Sequence, residues 1–319
     1  MKRVKEPEVM VYLMTGFLDS GKSQFLKFTL AQDYFQIDGK TLLILCEEGE
    51  EEYDPKEMLR YGVVIETVDS QEELTEEWLE ALNRKYRPER VVIEYNGMWK
   101  VSDFENMKLP SGWYIEQKLT TVDASTFQVY LTNLKPLFVE MVRNAEMVLF
   151  NRCDDLEPLP GYRRSVKVVS PQAEVIFEDG DGEIENIYGE DEVPYDVEAP
   201  VIQIQNEDYG IWFVDMMDNM ERYDGKMVEI TAKVMKPKGF PEKVFVPGRM
   251  AMTCCADDVT FLGYVCKWQD AQELKEGQWV TIQARVRYAR VSIYNGLGPV
   301  LDAIAVTATE PVEELVYFN

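Results

Sequence analysis

Residues 16–23 read Gly-Phe-Leu-Asp-Ser-Gly-Lys-Ser, the spacing G-x-x-x-x-G-K-[ST]. Each part of that string has a chemical task. The glycines let backbone N–H groups from Ser20 to Ser23 turn inward around an anion, and a helix starting after Gly21 adds the positive end of its dipole. Lys22 can reach the outer phosphates of a nucleotide, and the Ser23 hydroxyl is a ligand for Mg²⁺. Gly16, Asp19, Ser20, Gly21, Lys22, Ser23 and Gln24 are therefore the expected phosphate-side residues.

Far downstream, Asn151-Arg-Cys-Asp154 follows the apolar run Met147-Val-Leu-Phe150. An aspartate at a strand end can accept from both the ring N–H and the exocyclic amine of guanine, a donor pair that adenine lacks. Asn151 would hold the loop and the base edge, and the plane of Arg152 can cover the base face. Alone this tetrapeptide is weak; its place on a strand end after a phosphate loop gives it weight. Val91-Val-Ile93-Glu94 is a buried strand with a carboxylate at its tip, and Glu94-x-x-Gly97 can supply a Mg²⁺-side group and a backbone N–H that senses the terminal phosphate. The run from Glu47 to Asp54 is either a solvated acidic loop or a switch segment whose Glu47 or Asp54 reaches Mg²⁺ only with the triphosphate bound. The expected catalytic set is Lys22, Ser23 and Glu94, and the expected Mg²⁺ set is Ser23, Glu47 and Glu94.

A second cluster contains sulfur. Cys254 and Cys255 are adjacent, and with Cys266 they offer three thiolates suited to Zn²⁺ or Cu⁺. Neighbours on a strand face opposite sides, so one metal takes both only where the strand bends or ends. Asp257 or Asp258 could add a carboxylate, and Arg249 could balance a thiolate or an anion. The other reading is that these cysteines are simply buried.

The elements that must position these groups can be read from periodicity. Strands are expected over 9–15, 41–46, 63–68, 91–94, 119–123 and 147–150, with helices over 21–32 and 71–86, the latter presenting Leu74, Trp78, Leu79 and Leu82 on one face. Such alternation implies a mostly parallel sheet wrapped by helices. The second half is mostly strand. Residues 225–234 and 277–286 both read G-x-x-V-x-I-x-A-x-V, a turn glycine followed by period-two alternation. That pattern suggests a small antiparallel barrel such as an OB-fold. Acidic residues and glycine dominate 178–198, where the boundary is placed. The division is a nucleotide domain over 1–190, a linker over 191–205 and a β-rich domain over 206–319.

Composition narrows the function. The 319 residues carry 58 acidic and 33 basic side chains, a net charge of −25. Such a surface repels a phosphate backbone, so nucleic-acid binding is not expected. Trp268, Trp279 and Tyr288 read as core or partner contacts. Histidine is absent, which removes Ser-His and Cys-His nucleophiles and the commonest metal ligand. Five cysteines fit a reducing compartment. The basic start followed by an apolar run imitates a signal peptide, but Asp19 to Lys22 follow at once and a buried strand explains the run better. Without a span of eighteen apolar residues, no direct membrane insertion is expected, and the location expected is cytoplasmic.

These motifs together resemble the P-loop GTPases that serve metalloenzyme assembly, above all their CobW-like branch. GFLDSGKSQF (16–25) stands where that family has G-F-L-G-A-G-K-T-T. Cys46-Glu47-Glu48-Gly49-Glu50 with Asp54 is similar to its N-E-F-G-E…D segment. Ile93-Glu94-Tyr95-Asn96-Gly97 resembles its Walker B, Thr121-Val122-Asp123-Ala124 its T-V-V-D-A strand, and Ser170-Pro171-Gln172-Ala173 its N-P-x-A turn near the base. The resemblance covers about residues 9–185 and implies GTP/GDP with Mg²⁺ as cofactors, with Pro171 on the base side. It departs in three ways. No C-x-C-C motif lies between Asp54 and Val91, the histidine-rich stretches are missing, and Asp19 replaces a glycine. No residue is a clear water-positioning group, which implies slow turnover or help from a partner or a second copy in a homodimer. Residues about 205–312 resemble an uncharacterised bacterial domain found at the end of partner proteins of predicted two-component permeases. The matching residues run from Tyr223-Asp-Gly225 through Gly239-Phe-Pro241, Gly248-Arg249 and Thr253-Cys-Cys255 to Trp279-Val280. The function expected is a slow Mg²⁺-dependent GTPase acting as a switch or chaperone, linked to a metalloprotein or permease component. The alternative is a non-catalytic, nucleotide-bound adaptor docking on such an assembly.

Overall fold

The computed structural model describes residues 8–47, 53–154, 159–184, 193–252, 259–294, 296–312 and 315–316. Residues 1–159 and 173–186 form one compact unit, and residues 160–172 and 187–319 the other.

The elements run in the order β1 (Val9–Thr15), α1 (Lys22–Leu30), β2 (Thr41–Leu45), α2 (Pro55–Arg60), β3 (Val63–Thr67), α3 (Glu76–Tyr86), β4 (Arg90–Glu94), α4 (Val101–Glu105), β5 (Trp113–Asp123), α5 (Ala124–Val142), β6 (Met147–Asn151), α6 (Leu159–Lys167), β7 (Glu174–Asp179) and β8 (Gly182–Glu183). The strands form one sheet in the order β3-β2-β4-β1-β5-β6-β7-β8, parallel throughout except for the final hairpin. Residues of β1, β2 and β4 are buried along most of their length, as in a parallel sheet covered on both faces. After β1 the chain crosses to β2 and β3 on one side and later to β5 and β6 on the other. The carboxyl ends of β1, β4, β5 and β6 therefore gather at a topological switch point, where open α/β sheets take ligands.

Two elements differ from the expected ones. The helix expected over 71–86 begins only at Glu76: residues 71–73 form a single 3-10 turn, and Thr75 caps the helix by accepting from Trp78 N at 3.2 Å. Leu74 therefore precedes the helix, while Leu79 and Leu82 do form its buried face. Strand β5 begins at Trp113, six residues ahead of the expected start. Its first half alternates buried or half-buried residues with exposed Tyr114 and Glu116, so it lacks the unbroken run of buried and half-buried positions of its second half.

The second unit continues with β9 (Ile202–Gln203), α7 (Tyr209–Asp218), α8 (Met220–Tyr223), β10 (Met227–Met235), β11 (Val244–Met252), β12 (Val259–Gly263), β13 (Val265–Lys267), β14 (Trp279–Val291), β15 (Gly296–Ala308) and β16 (Leu315–Val316). Strands β11, β13, β15, β14 and β10 pair in that order, and β10 pairs back to β11, closing a five-stranded, OB-like barrel. The two echoing segments are neighbours in this ring. Strands β10 and β14 run antiparallel with Val228 opposite Ala284, Ile230 opposite Ile282 and Ala232 opposite Val280, all six side chains buried. Gly225 and Gly277, which open the two echoes, have φ values of 80° and 77°, where a side chain is strained. A helix sits within this mostly-strand half. Tyr209, Trp212, Phe213, Val214 and Met216 of α7 are buried in the barrel core, and Tyr288 of β14 donates its hydroxyl to Met216 O at 2.6 Å.

Candidate functional site

The loop from Gly16 to Gly21 leaves the end of β1 and enters α1. Gly16 has φ 142°, and a Cβ there would lie 2.5 Å from both Ser20 Oγ and Thr121 O. Ser20 Oγ and Thr121 Oγ1 are 2.9 Å apart, which ties the loop to the end of β5. Phe17 is buried and stacks on Tyr130 of α5 with ring centroids 4.4 Å apart. Asp19 has φ 60°, a left-handed backbone that aspartate adopts more readily than most residues. Its side chain is exposed, and so is that of Gln24.

The base-side segment is joined to this loop. Asn151, the last residue of β6, donates from Nδ2 to Ser20 O at 2.8 Å. The approach requires glycine at position 21, since a Cβ there would lie 2.5 Å from Asn151 Nδ2. The Oδ1 atom of Asn151 is buried without a hydrogen-bond partner. Arg152, at φ 55°, donates to Asp19 O at 2.8 Å and pairs with Asp123 Oδ2 at 2.6 Å. Asp123 also caps α5 through Ser125 N. Asp154 is exposed and accepts from Gly180 N at 3.1 Å, in the turn after β7. The Pro171 carbonyl accepts from Lys167 at 3.3 Å, a contact inside the second unit.

On the phosphate side, Ser23 donates to Glu94 Oε1 at 2.6 Å and Tyr53 donates to Glu94 Oε2 at 2.5 Å. Burial pushes the Glu94 carboxyl above its usual range, opposed by the two hydroxyls and by Lys22. Lys22 is buried and donates to the carbonyl oxygens of Gly16 and Phe17, both at 2.9 Å, and pairs with Glu47. Gly97 N donates to Glu47 Oε2 at 3.3 Å. Asp54 serves as the cap of α2, accepting from Lys56 N at 2.9 Å. A cavity of about 510 Å³ opens beside Glu47, among Leu18, Asp69, Asn96 and Met98. Sequence reasoning passed over Tyr53 and Gly180. Tyr53 is one aromatic in a run of carboxylates, and Gly180 meets Asp154 only through the sheet.

The structure thus gathers Gly16, Asp19, Ser20, Gly21, Lys22, Ser23, Glu47, Glu94, Gly97 and Asn151 at the carboxyl end of one sheet. These residues fit a nucleoside phosphate with Mg²⁺. The glycines leave a cradle that Cβ atoms would fill, the lysine is buried, Asn151 presents an orphaned acceptor, and Ser23 with Glu94 forms an all-oxygen pair suited to a hard cation. The sulfur site is a different matter. Cys254 and Cys255 lie outside the described residues, as do Asp257 and Asp258. Cys266 is buried in the barrel core, where burial pushes its thiol upward. Among the described residues, no group of three or more Cys, Asp or Glu side chains is placed to hold a metal.

Fold and site define a P-loop nucleotide-binding protein with a barrel unit attached. The chain belongs to the CobW/HypB/UreG family, whose nucleotide-binding domain model matches residues 10–177. Members of that family are P-loop GTPases. Residues 184–318 match the DUF1980 C-terminal domain. Among solved structures, the hydrogenase maturation factor HypB from Archaeoglobus fulgidus is 19% identical over 54% of this chain and 82% of that one, with a TM-score of 0.41. The Zn(II)-bound YjiA GTPase from E. coli is 16% identical over 92% of this chain and 89% of that one, with a TM-score of 0.43. No curated protein matches the chain. Among the described residues, no helix is long and apolar enough to cross a membrane.

Proposed function

We propose that this chain binds GTP with Mg²⁺ and hydrolyses it slowly, as a nucleotide-controlled switch. The observation that carries this reading is the hydrogen bond from Asn151 to Ser20 O, which makes one site of two motifs 131 residues apart. In that site the backbone N–H groups after Gly16 cradle the phosphates and Lys22 offsets their charge. Glu94 accepts from Ser23 and so turns the lone pairs of the hydroxyl toward the cation. Mg²⁺, when bound there, neutralises charge on the outer phosphate oxygens. Asp154 reads the base, with Arg152 across its face. The second unit, with Cys254 and Cys255, is assigned to a protein partner such as a permease component or a metalloprotein.

The test is a titration of the full chain with fluorescent guanine and adenine nucleotides in Mg²⁺. Guanine nucleotide is expected to bind at least about tenfold tighter, a gap of about 1.4 kcal/mol. Asp154→Asn should move the preference toward xanthine nucleotide, and Lys22→Ala should abolish binding. Phosphate release over hours then separates a slow GTPase from an inert, nucleotide-bound adaptor. Equal affinity for the two bases sinks the guanine assignment.

A further inference from the structure

The lysine of the phosphate loop is already fully engaged. An ammonium has three N–H donors. Lys22 directs them to Gly16 O, Phe17 O and Oε1 of Glu47. The other oxygen of the same carboxylate accepts from Gly97 N. The two side chains are almost enclosed, at 3% exposure for Lys22 and 9% for Glu47.

Main-chain contacts set this arrangement. Cys46 N donates to Glu94 O at 2.9 Å and Asn96 Nδ2 donates to Cys46 O at 3.2 Å, so the chain leaving β2 is fastened to the chain leaving β4. Gly97 is pressed against the phosphate loop: a Cβ there would lie 2.5 Å from Gly16 O and 2.8 Å from the Phe17 Cα. Its N–H and the Lys22 ammonium converge on one anionic group carrying two acceptor oxygens. Those are the two donors that a terminal phosphate would meet in the reading above.

We infer that Glu47 is an internal stand-in for the terminal phosphate and makes the site select diphosphate over triphosphate. The inference rests on the guanine-nucleotide reading. A diphosphate can enter with the carboxylate in place. A triphosphate would bring its last phosphate against a carboxylate, and like charges at contact repel, so Glu47 must leave before the triphosphate is seated. A Mg²⁺-ligand role for Glu47 in the triphosphate state predicts the opposite sign on mutation.

The full chain and its Glu47→Gln and Glu47→Ala variants are titrated with GDP and with GTP in Mg²⁺. The unmodified chain is expected to bind GDP at least about tenfold tighter than GTP. Both variants should bind GTP at least about tenfold tighter than the unmodified chain does, and a cooperative thermal melt close to that of the unmodified chain certifies that each variant is folded. Unchanged GTP affinity in both variants overturns the inference, and weaker GTP binding overturns it in favour of the metal-ligand role. Binding of neither nucleotide by any of the three proteins overturns the guanine-nucleotide reading itself, and this inference with it.

Discussion

In the first unit Lys22, Glu94, Ser20 and Thr121 are buried around a single loop, and beside them Asn151 Oδ1 lacks a partner. In the second unit a buried carboxylate, Asp215, is saturated. Asn219 donates to it at 2.6 Å, Arg222 at 2.9 Å and Tyr223 at 2.5 Å, and Tyr195 sits 2.8 Å from the Tyr223 hydroxyl. Desolvation accordingly pushes the Tyr223 phenol far above its usual range, so it stays a donor. A closed polar network has no capacity left for a ligand; it fixes α7 and α8 against the barrel. An open one, with an orphaned acceptor buried beside the phosphate loop, is arranged for something that arrives later.

The sharpest way to break this contrast is Asp215→Ala. It takes this acceptor from buried Tyr223 and half-buried Arg222 and should lower stability by about 2–3 kcal/mol, measured by denaturant unfolding. A loss below about 1 kcal/mol would show that the network is not a structural anchor. Next in size, Asn151→Ala should weaken guanine-nucleotide binding by about tenfold, near 1.4 kcal/mol. Stability should change by less than about 1 kcal/mol, because the substitution removes an orphaned buried oxygen along with a hydrogen bond. A stability loss matching that of Asp215→Ala would erase the difference between the two regions. The smallest effect expected is from Asp19→Gly, which relieves a left-handed backbone and should raise the melting temperature slightly, by up to about 1 kcal/mol of stability. A fall in melting temperature would mean that the Asp19 carboxylate contributes more than its backbone conformation costs.

The phosphate loop was legible because its residues have few substitutes: no other side chain replaces two glycines at positive φ, and only lysine gives that reach and charge. The strands bearing Glu94 and Asn151 were legible because a sheet buried on both faces leaves apolar runs with polar tips. The partner of Lys22 was not. Glu47 reads from the sequence as a Mg²⁺-side group, and only the pairing of Leu45 with Glu94 across β2 and β4 brings it to the lysine of the loop. Helix α7 was hidden for a different reason. It is buried on nearly every side, so its sequence carries no polar stripe to betray a helical period. The early half of β5 was missed because its exposed positions interrupt the apolar signal.

The pairing of β10 with β14 sets one string against its own reverse. Val228 meets Ala284, Ala232 meets Val280, and Ile230 meets Ile282 midway. A local two-fold axis therefore passes between the two isoleucines, as in an isologous interface between subunits. Each outer rung holds one large and one small side chain, so exchanging Val228 with Ala284 would conserve volume where either change alone would not. Self-complementarity also carries a hazard, because such a segment could pair equally well with the same segment of another molecule. In the folded barrel β10 has β14 on one side and β9 and β11 on the other, while β14 lies between β10 and β15. Ring closure thus withdraws from intermolecular pairing the two strands best suited to it.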